Sequence, residues 1–270
     1  MSFSVLISVY HKEQGEFLRL SLESVMTQTL MPDEVVLVKD GPLTADLDSV
    51  CNEFVERHPD IFKIIALPEN VGLGRALNEG LKHCSYDLVA RMDSDDICKA
   101  HRFEKQIAVF KSMPEVSVVG SWVDEFADEI TNVISIRKLP ENDEDLKRFA
   151  LKRNPLNHPS VMFRKVDVES VGSYPPLHLI QDYYLWLLLI KAGCKLYNIQ
   201  ESLIYFRTSS DMMARRGGFK YAMKEVDLFR FMRKKGIIGW GTFVMNILTR
   251  FPVRVMPIFV RRFIYNKILR

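Results

Sequence analysis

What this chain lacks excludes several classes at once. Its four cysteines, Cys51, Cys84, Cys98 and Cys194, form no CxxC pair and no paired spacing. Reduced, mostly buried thiols in a cytosolic protein are therefore expected. No secretory leader is visible, because Met1 runs directly into Phe3-Ser4-Val5-Leu6-Ile7, which reads as a strand. A GxxxxGK[ST] phosphate loop is missing. The run Gly72-Leu73-Gly74 opens like a dinucleotide fingerprint but carries Leu77 where the third glycine belongs. A P-loop NTPase and a hydride-carrier enzyme are thereby set aside. His11, His58, His83, His101 and His178 have no ligand spacing, and neither an internal repeat nor a low-complexity linker occurs.

One further absence is local. From Leu228 to Arg270 there is no Asp or Glu against ten Lys and Arg, so the other 227 residues carry a net −7 beneath an overall +3. This tail is rich in Phe, Ile, Val, Met and Trp. Its apolar stretches are interrupted by Arg250, Pro252, Arg254 and Pro257, which rules out a single bilayer-crossing helix. Basic and apolar residues mixed in this way suit a segment lying on an anionic membrane surface. A helix pair packed on the domain with its charges solvated is the alternative. Nucleic acid is not expected as a partner, since no reader motif accompanies the charges.

What is present describes one large domain or a domain with an appendage. Of 270 residues, 47% are apolar and 26% charged, enough for a sizeable core. Strand-like runs at 3–10, 34–39, 62–67, 88–92 and 116–120 alternate with helix-like segments at 16–29, 45–57, 73–84 and 100–113. That alternation predicts an α/β fold with right-handed βαβ units and a parallel sheet covered on both faces. Ligands in such sheets bind beyond the carboxyl ends of the strands, where strand order reverses. The polar residues fall at those ends: Tyr10 to Glu13, Asp40-Gly41, Asn70, and the run Asp93-Ser94-Asp95-Asp96.

The acidic run is the sharpest signal. Three carboxylates within four positions repel one another and lose hydration at a strand's end, which calls for a divalent cation, a polar substrate, or both. Alternation along an extended chain lets Asp93 and Asp95 point into one cleft. A solvated acidic turn capping the next helix is the competing explanation. In the less regular second half, Gln181-Asp182-Tyr183-Tyr184-Leu185-Trp186 opens a helix running to about Ala192, placing Asp182 and Trp186 on one face. By themselves, Asp182 reads as a first-turn carboxylate favoured by the helix dipole and Trp186 as a core aromatic. His158, before Pro159, reads as structural or as a neighbour of a ligand. Arg207, Arg215 and Arg216 read equally as diphosphate contacts or as a solvated basic loop.

Taken together, Val5–Tyr10, Val38–Gly41, Asn70–Asn78, Asp93–Asp96, His158-Pro159-Ser160 and Asp182–Trp186 resemble bacterial family 2 glycosyltransferases over residues 2–210. The tail resembles that of enzymes assembling capsular or O-antigen repeat units. The resemblance implies a GT-A fold, a UDP-sugar donor and inversion at the anomeric carbon. It implies that Ser8, Tyr10 and Asp40 border the nucleobase, with Asn70 and Arg75 beside them, and that Asp93 holds the ribose. Asp95 would bind Mn²⁺ or Mg²⁺, and Asp182 would be the general base, with His158, Trp186 and Arg207 as possible acceptor or diphosphate contacts. The domain would divide into a nucleotide half, 1–121, and an acceptor half, 122–210, followed by an extension over 211–270. No Gln-x-x-Arg-Trp motif and no membrane span occur, so addition of a single hexose per encounter, galactose or glucose, is expected. The acceptor would be a lipid-diphosphate-linked sugar at the inner face of the cytoplasmic membrane. A sugar-nucleotide pyrophosphorylase and a non-catalytic nucleotide-sugar binder are the alternatives. Gln181 departs from the acid that many relatives carry there, so a neighbouring charge that could raise the pKa of Asp182 is missing.

Overall fold

A computed structural model of the chain describes residues 1–177, 179–208 and 217–256. The chain divides into two compact units, residues 1–146 with 154–207, and residues 147–153 with 208–270.

In the first unit, β1 (Phe3–Val9), β2 (Glu34–Lys39), β3 (Phe62–Ala66) and β4 (Leu88–Asp93) form parallel ladders in the order β3-β2-β1-β4. They are joined by α1 (Gly15–Met26), α2 (Ala45–Arg57) and α3 (Leu73–His83). These strands read as continuous apolar runs because both faces are covered. Val5, Ile7 and Val9 face a core shared with Leu18 and Leu22 of α1 and Phe54 of α2. Leu6, Val36 and Val38 face the opposite core with Ala76, Leu77 and Leu81 of α3. Each such side chain contributes roughly 1.5–3 kcal/mol by leaving water. At Gly80, α3 lies so close to the sheet that a Cβ would fall 2.4 Å from Leu6 Cδ1.

Strand order reverses between β1 and β4, where Ser8 sits level with Asp93. The expected parallel sheet ends there. The short strand β8 (Met162–Arg164) lies antiparallel between β4 and β6 (Val116–Phe126). Beyond β6 come β9 (Lys195–Arg207), parallel to it, and the two-residue β5 (Ile97–Cys98), antiparallel to β9, while β7 (Val133–Arg137) pairs the other end of β6. The fifth apolar run is thus a longer strand than its sequence pattern marks, and β8 was not marked at all. Three residues are too few to show a period.

The remaining helices are α4 (Arg102–Ser112), α5 (Asp143–Ala150), α6 (Lys165–Ser170) and α7 (Gln181–Lys191), with a 3-10 turn at His158–Ser160. Leu185, Trp186 and Leu189 of α7 join the core on the α3 side. The second unit contains α8 (Phe219–Lys234) and α9 (Trp240–Val255), which pack on each other. Among the described residues, no helix is long and apolar enough to cross a membrane.

Candidate active site

The switch point gathers the strand-end residues. Ser8, partly buried, is flanked in register by Val38 on β2 and Asp93 on β4. Tyr10 follows β1, its ring edge-on to that of His11. Asp40 follows β2 and is 3% exposed. Its Oδ1 accepts from Val71 N at 2.7 Å, and its Oδ2 accepts from Gly72 N and Asn70 Nδ2, both at 3.1 Å. Asp40 therefore clasps the loop leading into α3, a role its sequence position did not announce. Gly41 is required by the same clasp: its φ is +85° and a Cβ would lie 2.6 Å from Asn70 N. Asn70 is held at this edge by its amide, while Arg75 stands exposed in the first turn of α3.

The acidic run curls rather than extending. One oxygen from each of Asp93, Asp95 and Asp96 lies within 4.8 Å of the others. Asp93 pairs with the guanidinium of Arg91, which is only 1% exposed. Ser94 donates to Glu13 Oε2 at 2.8 Å. Asp96 is fully buried; Oδ1 accepts from Arg207 N at 2.8 Å, while Oδ2 has no hydrogen-bond partner. Burial, together with the charges of Asp93 and Glu13, pushes the Asp95 carboxyl up to about 7. Burial pushes Asp96 up further, with Asp95 and Asp93 adding to it. A hard divalent cation fits this cluster: the donors are all oxygen, and the crowding and the orphaned oxygen are the penalties such an ion relieves.

Arg207 brackets the turn from β9. Its Nε donates to Asp95 O at 3.0 Å, and its guanidinium lies over the rings of Phe17 at 3.8 Å and Phe126 at 4.6 Å. Arg215, Arg216 and His178 lie outside the described residues.

A second polar group lies near Asp182. Asn154 Nδ2 donates to Asp182 Oδ2 at 2.6 Å. Leu179 and Ile180 enter α7 with φ of 67° and 53°, left-handed values that cost branched or bulky residues about 1–2 kcal/mol each. The buried Tyr174 hydroxyl is held protonated chiefly by burial, and it feels the charges of Arg91, Asp182 and Asp93. Asn78 of α3 grips the Tyr174 backbone twice, at 2.7 and 2.9 Å.

Two expected contacts need correction. His158 is 9% exposed, its Nε2 is 3.0 Å from Tyr174 Oη, and burial, then Arg91, pulls its pKa well below 6.5. Trp186 is fully buried and edge-on to His158. Neither offers a surface to a ligand: the apolar face of α7 takes Trp186 inward, and both rings support the site from beneath. Arg91 Nε and Nη1, Gln181 Oε1 and Trp186 Nε1 are buried here without hydrogen-bond partners.

Sequence reasoning also missed the brace under β4. Arg102, fully buried on α4, donates to Arg91 O at 2.6 Å and Val161 O at 3.3 Å. Gln106, one turn on, donates to Val119 O and Ser160 O. Their i, i+4 spacing within the stripe Phe103, Ile107, Phe110 was the available signal, since polar residues on an inward face need carbonyl partners.

The profile of glycosyl transferase family 2 matches residues 4–170, more than half of the chain. The chain belongs to glycosyl transferase family 2. The enzyme is 42% identical over 265 residues to the amylovoran biosynthesis glycosyltransferase AmsE of Erwinia amylovora, covering 98% of each. It is 39% identical over 268 residues to the UDP-Gal:alpha-D-GlcNAc-diphosphoundecaprenol beta-1,3-galactosyltransferase of Escherichia coli, covering 99% of this chain and 96% of the relative. Among solved structures, Staphylococcus aureus TarS 1-349 in complex with UDP-GlcNAc superimposes with a TM-score of 0.66 at 17% identity, covering 94% of this chain and 72% of that one. The fold of this glycosyltransferase is accordingly GT-A. Membership in the family sets aside the pyrophosphorylase and the non-catalytic binder.

Proposed function

We propose that the enzyme transfers one hexose, galactose in first place and glucose in second, from a UDP-sugar to a lipid-diphosphate-linked sugar, with inversion, in surface polysaccharide assembly. The observation that carries the reading is the juxtaposition of two carboxylate sites. Asp93, within the acidic cluster at the end of β4, and the Asn154-oriented Asp182 at the start of α7 both act on the hydroxyl of Tyr174, whose backbone Asn78 holds. The E. coli relative's name, with its UDP-Gal donor and diphosphoundecaprenol acceptor, supports the substrate classes.

In this reading residues 1–121 bind the nucleotide, residues 122–210 the acceptor, and residues 211–270 serve the membrane face. Ser8, Tyr10 and the Asp40–Asn70 clasp border the base, Arg75 lies near the base and phosphates, and Asp93 holds the ribose. Asp95 would hold a Mn²⁺ or Mg²⁺ ion, with Asp93 and Asp96 able to reach the same ion. When bound, such an ion neutralises the diphosphate leaving group. The acceptor hydroxyl oxygen bonds to the anomeric carbon as the bond from that carbon to the diphosphate oxygen breaks. The hydroxyl proton passes to Asp182 and UDP departs as an anion. One in-line displacement inverts the centre, and one base suffices. Asn154 fixes the Asp182 rotamer by its bond to Oδ2, leaving Oδ1 to take the proton. A lipid-linked acceptor supports a peripheral position on the cytoplasmic face of the membrane.

The test is incubation of UDP-galactose and UDP-glucose with a synthetic GlcNAc-diphosphate-lipid, following UDP release and product anomericity. Asp95→Ala is expected to abolish metal-dependent transfer with the fold intact. Retained turnover in EDTA would remove the metal assignment, and a retained anomeric configuration would remove the single-displacement mechanism.

A further inference from the structure

Helix α9 is built inside out. Its only two charges, Arg250 and Arg254, turn inward onto Glu225 of α8, which is 5% exposed and bonds both guanidinium groups at 2.8 Å. Arg254 also lies over the ring of Tyr221. The water-facing arc, in contrast, carries Trp240, Val244, Met245, Leu248 and Val255, of which Trp240 and Leu248 are 64% and 65% exposed. No charged residue is exposed on the helix. Thr249, the one exposed polar side chain, has its hydroxyl bonded to Met245 O at 2.8 Å. A water-exposed helix normally shows the reverse pattern.

These observations also revise the electrostatic argument for the tail. Three of its ten basic residues are paired internally, Arg230 with Asp227 and Arg250 and Arg254 with Glu225, and Arg261, Arg262, Lys267 and Arg270 lie outside the described residues. The remaining described cations cluster at one end of α9. There Arg233 lies over the Trp240 ring at 4.8 Å, and Lys234 and Lys235 follow it.

We infer that α9 lies in the interfacial layer of a bilayer, its Trp240-Val244-Leu248-Val255 arc among the acyl chains and the Arg233–Lys235 end at the anionic headgroups. The arc runs for ~24 Å of helix, too short and too one-sided to span, and suited to lying flat. A protein partner would need several hydrogen-bonding groups to fix its register, and the arc supplies only the Trp240 indole N–H. A bilayer needs none, and Trp beside basic residues suits the headgroup level. The hold is therefore chiefly apolar, with charge as the smaller part. This deepens the proposed use of a lipid-linked acceptor and rests on it for its setting; the measurement below reads membrane partition without transfer.

The experiment is vesicle co-sedimentation of the full chain on phosphatidylcholine, with and without phosphatidylglycerol, at low and high salt. Wild type is expected to bind both and to keep most of its binding at high salt. Leu248→Asp with Val244→Ser is expected to lower partition on the order of tenfold at either salt. Arg233→Gln with Lys234→Gln is expected to weaken only low-salt binding to the anionic vesicles. Bromine-labelled lipid is expected to quench part of the tryptophan emission, and Trp240→Phe to remove that part. Absence of quenching, or wild-type partition by the Leu248 variant, overturns the inference. So does a dimer in sedimentation that the Leu248 variant dissolves, since a second copy would then cover the arc. Transfer to a water-soluble acceptor is expected to survive all these variants. Loss of partition with intact transfer in wild type counts against this inference alone, and binding without transfer counts against the proposed function alone.

Discussion

The end of β4 and the outer side of α9 are opposite departures from ordinary protein packing. Around the acidic run, polar atoms are buried and left short of partners: Asp96 Oδ2, Arg91 Nε and Nη1. On α9 the two guanidinium groups and the Thr249 hydroxyl are served, by Glu225 and by backbone, while large apolar side chains face water. Burying an unpaired polar atom costs about 1–3 kcal/mol, and each exposed Leu or Trp forgoes burial energy of similar size. A protein with ~5–15 kcal/mol of total stability keeps such features only at some use. The sign of the departure indicates the missing companion. Unfilled polar valence calls for ions and a polar substrate, and uncovered apolar area calls for an apolar phase.

Four substitutions probe that contrast. Asp182→Asn is expected to lower turnover by ~10²–10⁴ while leaving UDP-sugar affinity unchanged, because an amide of the same shape cannot accept the proton. Equal turnover and equal affinity on one preparation would make Asp182 a helix-end carboxylate only. Glu225→Gln tests the other region. Removing the anion from two largely buried guanidinium groups is expected to cost the α8–α9 pair about 3–5 kcal/mol, read as faster amide exchange there with β1 and β4 unaffected. Unchanged protection would mean that Arg250 and Arg254 turn outward at little cost, and α9 would not be committed to its inverted arrangement.

Asn154→Ala removes a charge-assisted hydrogen bond worth about 1.5–3 kcal/mol and is expected to reduce kcat ~10-fold or somewhat more with little change in KM. An equal fall in donor affinity would show that Asn154 serves binding instead of the base. The smallest effect concerns His158. Burial and Arg91 depress its pKa in the folded state, so just below pH 6.5 the unfolded chain takes up a proton that the folded chain refuses. The sign follows: stability from this group is complete above that pH and declines as pH falls, by about 0.8 kcal/mol at pH 6. His158→Asn is expected to flatten that part of the unfolding profile, and parallel profiles for the two proteins would contradict the neutral assignment.

Much of the first half was legible. Apolar runs covered on both faces and helices at regular intervals specify βαβ units, and the strand ends with their polar residues follow from that topology. The companions of those residues were not legible. Arg91 lies just before the acidic run and pairs with Asp93, while its carbonyl is held by Arg102 from another helix. Asn154 meets Asp182 across 28 residues, a distance no local pattern encodes. Trp186 was read correctly by its helical face as a core aromatic and less well by family resemblance as a contact. The tail's charges were countable but not their direction. Glu225, three residues before the acid-free stretch begins, is what turns Arg250 and Arg254 inward.

The strand β8 carries a consequence for synthesis. It is contributed by residues 162–164 and yet forms the ladder neighbour of β4, completed some 70 residues earlier in the chain. While the polypeptide leaves the ribosome, β1 to β4 can assemble as soon as residue 93 has emerged, but the outer edge of β4 stays open until Met162 arrives. An open parallel edge of this kind pairs readily with strangers. A nascent chain stalled, or a gene truncated, between those points would present an adhesive half-sheet, so the segment carrying β1 to β4 is not a portable module. Splitting the gene there should yield insoluble protein, whereas a supplied peptide spanning β8 should improve its recovery.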